Sequence, residues 1–375
     1  MLAYIIRRLL FVIPTLFAII VLNFIVIQLA PGGPVEQALA QIQGMAVDAT
    51  ARFSGTNQGE TTTQGSQGDL TRASPGAPSN SYRGARGLDP ELIMEIERLY
   101  GFDKPAYERF LIMIKNYVMF DLGDSFFRDK SVVDLVIEKL PVSISLGLWT
   151  TLLTYLISIP MGIAKSVRDG SKFDVWTSVV VIIGNAIPGF LFAILLVVLF
   201  AGGSFLDLFP LRGIVSSDWS ELNLLNKVMD YLWHMVLPIT TLVIGSFATL
   251  TMLTKNSFLE EINKQYVITA RSKGLTEKRV LYGHIFRNAM LIVIAGFPSA
   301  FISILFTGSM LVEIIFSLDG LGLLGFESLI NRDYPLVFGT LYVFTLLGLI
   351  LGLIGDIVYH VVDPRIDFEA RDVRG

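Results

Sequence analysis

Cysteine is absent from this 375-residue chain. Disulfides, zinc–thiolate sites and thiol nucleophiles are therefore excluded. Histidine is scarce: His234, His284 and His360 lie far apart, so a histidine-rich metal site is not expected. Charge is scarce too, at 17% of residues against 53% hydrophobic. No Gly-x-x-x-x-Gly-Lys-Ser/Thr phosphate loop occurs, so the chain is not expected to hydrolyse ATP alone. His-Glu-x-x-His and Gly-x-Ser-x-Gly are missing as well. Nothing in the sequence offers a cofactor site or a nucleic-acid surface.

What is present is apolar. The mean hydropathy of +0.61 is too high for an ordinary soluble domain and points to a polytopic membrane protein. Leu9 to Ala30 carries no charge and is long enough to cross a bilayer of roughly 30 Å. It exceeds a signal-peptide core and has no good small-x-small cleavage site, so a retained first span is expected. Further spans are expected at Ser143 to Ile163, Val175 to Phe200, Met235 to Leu253, Met290 to Val312 and Leu336 to about Asp356. Asn185 and Pro188 interrupt the third. Short inner segments carry 15 Lys and Arg, and the two short outer loops carry three. That asymmetry puts both termini inside.

Between the first two spans, residues 37–86 are rich in Gly, Ser, Thr, Gln, Ala and Asn, with no apolar period. A flexible extracytoplasmic insertion is expected there. Asp89-Pro90-Glu91 then signals a helix start, with an apolar face at Leu92, Ile93, Ile96 and Leu99. Amphipathic helices are expected over Tyr107 to Phe120 and Ser131 to Leu140. The domain reading is 1–30 for the first helix, 31–141 outside, 142–363 for a five-helix core and 364–375 for the inner tail.

The longest charged run between two spans is Glu260 to Arg287. Lys255, Lys264, Arg271, Lys273, Lys278, Arg279 and Arg287 make it basic, hence inner. Ile262 to Ser272 can form a short helix, which Gly274 is placed to stop. Thr276 can cap the next. The charge alone is equally met by a loop that only sets topology.

The wording is more specific. Tyr-Val-x-Thr-Ala-Arg-x-Lys-Gly-Leu (Tyr266 to Leu275), then His-x-x-Arg-Asn-Ala, resembles the EAA loop of ABC importer permeases, in its dipeptide and oligopeptide branch. Phe-Asp-Leu-Gly-Asp-Ser-Phe (Phe120 to Phe126) and Arg-Asp-Tyr-Pro (Arg332 to Pro335) resemble the same branch. The insertion is most similar to that of Yej-type permeases, associated with peptide and microcin C uptake. The resemblance implies an all-α, six-span, type I ABC importer permease fold, with loop 254–289 carrying a coupling helix. Tyr266, Thr269, Ala270, Arg271, Lys273, Gly274 and Leu275 would contact an ATPase subunit. Ile268 stands where the general motif has glutamate. The implied partners are a second permease, two ABC ATPases that bring ATP and Mg, a periplasmic peptide-binding protein, and membrane lipid. The implied site is the bacterial inner membrane and the process is peptide import.

Two further groups are candidates. Asn185, with Ser299, Ser303 and Thr307 at spacings of four, can line a polar translocation path. Helix packing explains the stripe equally well. Asp319, Gly320 and Gly322, with Arg332 and Asp333, suit an outer gate or docking surface. Gly348 and Gly352 read most simply as a packing face. An ion-coupled carrier is the alternative function. It would need membrane carboxylates, and only Glu313 and Asp356 lie close, both at span ends.

Overall fold

The computed structural model describes residues 2–29, 104–201, 205–303 and 310–362. The insertion at 37–86, the helix expected from Asp89 and Thr307 lie outside them, as does the side chain of Ser303. The described residues are helical, with only an isolated bridge between Asp124 and Ser131. Five helices are long and apolar enough to cross a membrane, or six with one bent pair counted as a span. The chain falls into two compact units. One comprises Met1–Val12, Val136–Leu324 and Phe344–Gly375; the other comprises Ile13–Leu135 and Gly325–Val343.

The helices extend the expected spans at their ends. Helix α1 covers Leu2–Leu29, and α2 covers Ala106–Val118. Helix α3, Val132–Val167, fuses the expected outer helix at Ser131 to Leu140 with the second span. Ser131 starts it, its Oγ accepting the Asp134 N–H at 3.1 Å and donating to the Asp134 carboxylate at 2.7 Å. Pro141 and Pro160 are accommodated inside it.

The third span is broken where the sequence says. Helix α4 is Lys172–Ala186 and α5 is Gly189–Phe200, bent by 94°. Pro188 has no N–H to continue the ladder, and it forces Ile187 into extended backbone (φ −84°, ψ 120°). Helix α6, Leu224–Ile262, is the longest at 39 residues. Two short helices follow, α7 (Gln265–Ser272) and α8 (Glu277–Val280). A π-turn over Leu281–Ile285 leads into α9 (Phe286–Ala295) and α10 (Phe297–Ser303). Helices α11 (Met310–Ile315), α12 (Leu321–Ile330) and α13 (Tyr334–Val362) complete the chain.

Among the described residues of the larger unit, two apolar clusters stand out. Leu146, Ala193, Met235, Val312 and Phe316 join α3, α5, α6 and α11. Ile163, Phe258, Val267, Ala270, Val280 and Ala289 join the far ends of α3 and α6 to the short helices and α9. At one edge the Tyr4 hydroxyl donates to the Asp356 carboxylate at 2.7 Å, and Arg8 pairs with the same carboxylate. The start of α1 therefore lies beside the end of α13. In the smaller unit, Phe110 packs between Phe17 and Phe24, and Tyr117 meets Tyr342 edge-on at 5.2 Å.

Close helix crossings use glycines other than those expected. A Cβ on Gly348 would meet nothing within 4 Å, and one on Gly352 only the Arg8 guanidinium. Gly162 is the tight position. A Cβ there would stand 2.5 Å from the Thr254 Cβ and 2.9 Å from the Thr251 carbonyl oxygen. Gly162→Ala must push α3 and α6 apart, an overpacking of about 1–3 kcal/mol. We expect a lowered Tm for the purified protein, restored in part by Thr254→Gly, which removes the clashing Cβ, and not by Thr254→Ala, which keeps it. Gly348→Ala is expected to leave Tm unchanged.

Candidate functional site

The loop after α6 is not a floating basic segment. Val267 and Val280 are fully buried and anchor α7 and α8 on Phe258 and Ala289. Helix α7 ends in a glycine motif: Gly274 has φ +81°, its N–H donates to the Arg271 carbonyl at 2.9 Å, and the Leu275 N–H reaches the Ala270 carbonyl at 3.4 Å. These are the two bonds of a Schellman cap, and Leu275 supplies its apolar contact with the core. Arg271 then grips Glu277 with two N–H groups, at 2.9 and 3.1 Å. Exposed pairs of this kind contribute roughly 0.2–1 kcal/mol. The pair fixes an angle more than it adds stability.

This geometry sorts the expected contact residues. Thr269, Arg271, Lys273 and Gly274 are exposed. Ala270 is not available to a partner: it is 6% exposed and faces the chain's own core. Tyr266 is half-buried, its hydroxyl donating to Glu261 at 2.6 Å, and burial pushes that phenol above its ordinary range. Ile268, 49% exposed, is the large apolar side chain that α7 presents outward. Thr276 occupies the cap position of α8 without making a side-chain cap bond. Behind the loop lies a cavity of about 290 Å³, lined by Val167, Ile262, Leu281 and Ile285, with Arg271 and Tyr282 on its wall.

Above the loop sits a cluster that the sequence reading missed. Lys165 lies just past the second expected span, which ends at Ile163, yet it is completely buried. Its ammonium donates to Thr177 Oγ1 (2.8 Å), Ser178 Oγ (2.7 Å) and the Asp174 carbonyl (2.9 Å), and lies 3.1 Å from the Asp174 carboxylate. Lys255 holds the other Asp174 oxygen at 2.7 Å and Asp169 at 2.8 Å. Two lysines and two aspartates thus tie together the ends of α3, α4 and α6, one turn or two before α6 enters the loop. The available signal was Lys-x8-Asp, a cation and an anion flanking a tight turn.

Residues 156–368, which include this cluster and the whole loop, match the family described as the binding-protein-dependent transport system inner membrane component. The chain belongs to that family. The permease is 60% identical to the peptidoglycan transport system permease protein YejB of Agrobacterium fabrum, a match covering 99% of this chain and 100% of the relative. It is 58% identical to the inner membrane ABC transporter permease protein YejB of Escherichia coli O157:H7, over 98% and 100%. The oligopeptide transport system permease protein AppB of Bacillus subtilis is 33% identical, again over 98% and 100%. The permease is thus an inner-membrane, multi-pass transport subunit of the type I ABC importer class, not an enzyme. Its family works with a substrate-binding protein and an ATPase.

The remaining candidate residues of the permease divide. Asn185, at the end of α4, and Ser299, in α10, are both exposed on this chain. Asp319 is exposed and pairs with Lys139, itself 8% exposed, which also reaches Glu138 at 2.9 Å. Gly320 is buried against Glu313 and Gly322 lies beside it. In the smaller unit, Arg332 is exposed at φ +53°, while Asp333 is buried. Asp333 accepts from Ser125 Oγ, the Phe126 N–H (3.3 Å) and the Leu336 N–H (3.4 Å), so it caps α13. Burial pushes its carboxyl above the usual range. A surface role suits Asp319 and Arg332; Asp333 and Gly320 are built into the interior.

Proposed function

We propose that the permease moves short peptides, or peptide-bearing cell-wall fragments, from periplasm to cytoplasm by alternating access. The observation that carries this reading is full-length identity of 60% and 58% to permeases named for peptidoglycan transport and ABC transport, with 33% to an oligopeptide permease. The geometry is consistent with it. Helix α7 is a short, capped, partly exposed element tied to three helix ends, suited to receive a push from an ATPase. Ile268, Thr269, Arg271 and Lys273 form its contact face, with Gly274 setting the angle and Ala270 supporting it from behind.

Two ATPases would bring ATP and Mg, and a periplasmic binding protein would deliver the substrate. A second permease is supported by Asn185 and Ser299. A polar side chain facing lipid is disfavoured, so both fit a surface covered by another subunit along a wetted path. The basic charge of 254–289 supports a cytoplasmic loop, and with it cytoplasmic termini. The core would run from 142 to 363.

The ion-coupled alternative loses its carboxylates. Asp356 is held by Arg8 and Tyr4, and Glu313 is sealed in the interior. The deciding experiment reconstitutes the permease with its partners in proteoliposomes. A peptide-loaded binding protein should stimulate ATP hydrolysis and uptake of labelled peptide. Uptake driven by an ion gradient without ATP would overturn the reading.

A further inference from the structure

Glu313 is a glutamate with no exposed surface, on α11. Its carboxyl group fills the space over two glycines. A Cβ on Gly320 would stand 2.6 Å from the carboxyl carbon and 2.7 Å from each oxygen; one on Gly322 would lie 3.2 Å from both oxygens. Neither glycine has the positive φ that would itself demand glycine. The Gly-Leu-Gly wording is there because a carboxylate occupies the room of two side chains.

That carboxylate is also bonded. The Leu323 N–H donates to it at 2.7 Å, and the Leu321 N–H donates to Ser143 Oγ at 2.8 Å. Both N–H groups belong to the first turn of α12, where intrahelical partners are lacking and negative charge is favoured. The Leu318 N–H meanwhile donates to the Glu313 backbone carbonyl at 2.7 Å. The turn 316–320 and the start of α12 are thus held from beneath by one side chain of α11, and from the side by Ser143 and Lys139 of α3.

We propose that Glu313 is a positioning residue for the outer mouth: its carboxylate pins the turn 316–320 and the first turn of α12, and transport requires that pin. This rests on the reading that places the turn outside. Glu313 touches no substrate in this assignment. It acts through the glycine turn, and it deepens the gate assignment by separating the pin, Glu313, from the exposed Asp319, which pairs with the buried Lys139.

The test uses the cysteine-free chain in the complete transporter. Ser317, exposed at φ +52°, is replaced by cysteine and labelled with a membrane-impermeant maleimide in spheroplasts. Glu313→Gln keeps the shape but loses the charge, and Gly320→Ala collides with the carboxyl group. Each should speed labelling by about tenfold, as the turn opens more often, and reduce coupled uptake. Adding Glu313→Asp to Gly320→Ala shortens the acid and should restore both rates towards the parent. Restoration would locate the lesion in the contact between this carboxyl group and position 320, since a general loss of fold would not be relieved by shortening one acid. Unaltered labelling and uptake in Glu313→Gln and Gly320→Ala would overturn the proposal while leaving the transport reading intact. Labelling only in inverted vesicles would instead overturn the outer placement.

Discussion

Gly274→Val should yield a permease that inserts normally yet loses most of its copurifying ATPase. The position has φ +81°, and a side chain there costs about 1–2 kcal/mol, more if β-branched. The effect is conformational alone, because a Cβ at Gly274 would meet nothing within 4 Å. The chain can escape the strain only by giving up the Schellman bonds from Gly274 and Leu275, and α7 then points elsewhere. A docking surface tilted by that much loses affinity by roughly tenfold for each 1.4 kcal/mol of contact forfeited. The series is graded: Asn tolerates the left-handed region, so Gly274→Asn should be mild, Ala intermediate and Val severe. Ile268→Ser, on the exposed face, should weaken copurification without strain. Ala270→Trp, by contrast, should unfold the loop because its site is core. Full copurification of the Val variant would show that the loop has no docking role.

Lys165→Met should lower the Tm of the purified protein more than Lys255→Met does. Removing one member of a buried ion pair strands the other, at roughly 3–5 kcal/mol. Lys165 has no exposed surface and four oxygen partners; Lys255 is 12% exposed and its second aspartate is 53% exposed. Water can therefore replace part of what Lys255 gives and little of what Lys165 gives. Asp174 retains one lysine in either variant, so the lower part of the range is expected. Asp174→Asn added to Lys165→Met should recover much of the loss, since no net charge is then stranded. Equal Tm shifts for both lysine variants, with no recovery in the double variant, would refute the assignment.

Much of this architecture was legible because hydropathy and proline act locally. The six apolar runs are visible as composition. Pro188 breaks the third because a missing N–H has one effect wherever it occurs. Gly274 was readable for the same reason: a helix stop is a property of a few consecutive residues. Facing directions were harder. Ala270 and Ile268 are two residues apart on one short helix, and only the position of Phe258 and Val280 decides which of them is covered. Lys165 looked like loop charge because its partners Asp174, Thr177 and Ser178 are supplied by the next helix. Gly348 and Gly162 look alike in sequence, but only Gly162 has Thr254 against it. Glu313 read as a span end, since nothing local shows that two glycines seven and nine positions later make room for its carboxyl group.

Helix α6 has one more consequence, mechanical rather than energetic. Its proline, Pro238, leaves an unbroken rod from Ile239 to Ile262, about 36 Å at 1.5 Å per residue. The rod ends one short turn before α7, and Lys255 clamps it near that end. A tilt of about 5° imposed at Ile262 displaces the other end by about 3 Å over such a length, roughly the width of a water molecule. Leverage, rather than any large rearrangement at the loop, can carry a small push on α7 to the middle of the membrane.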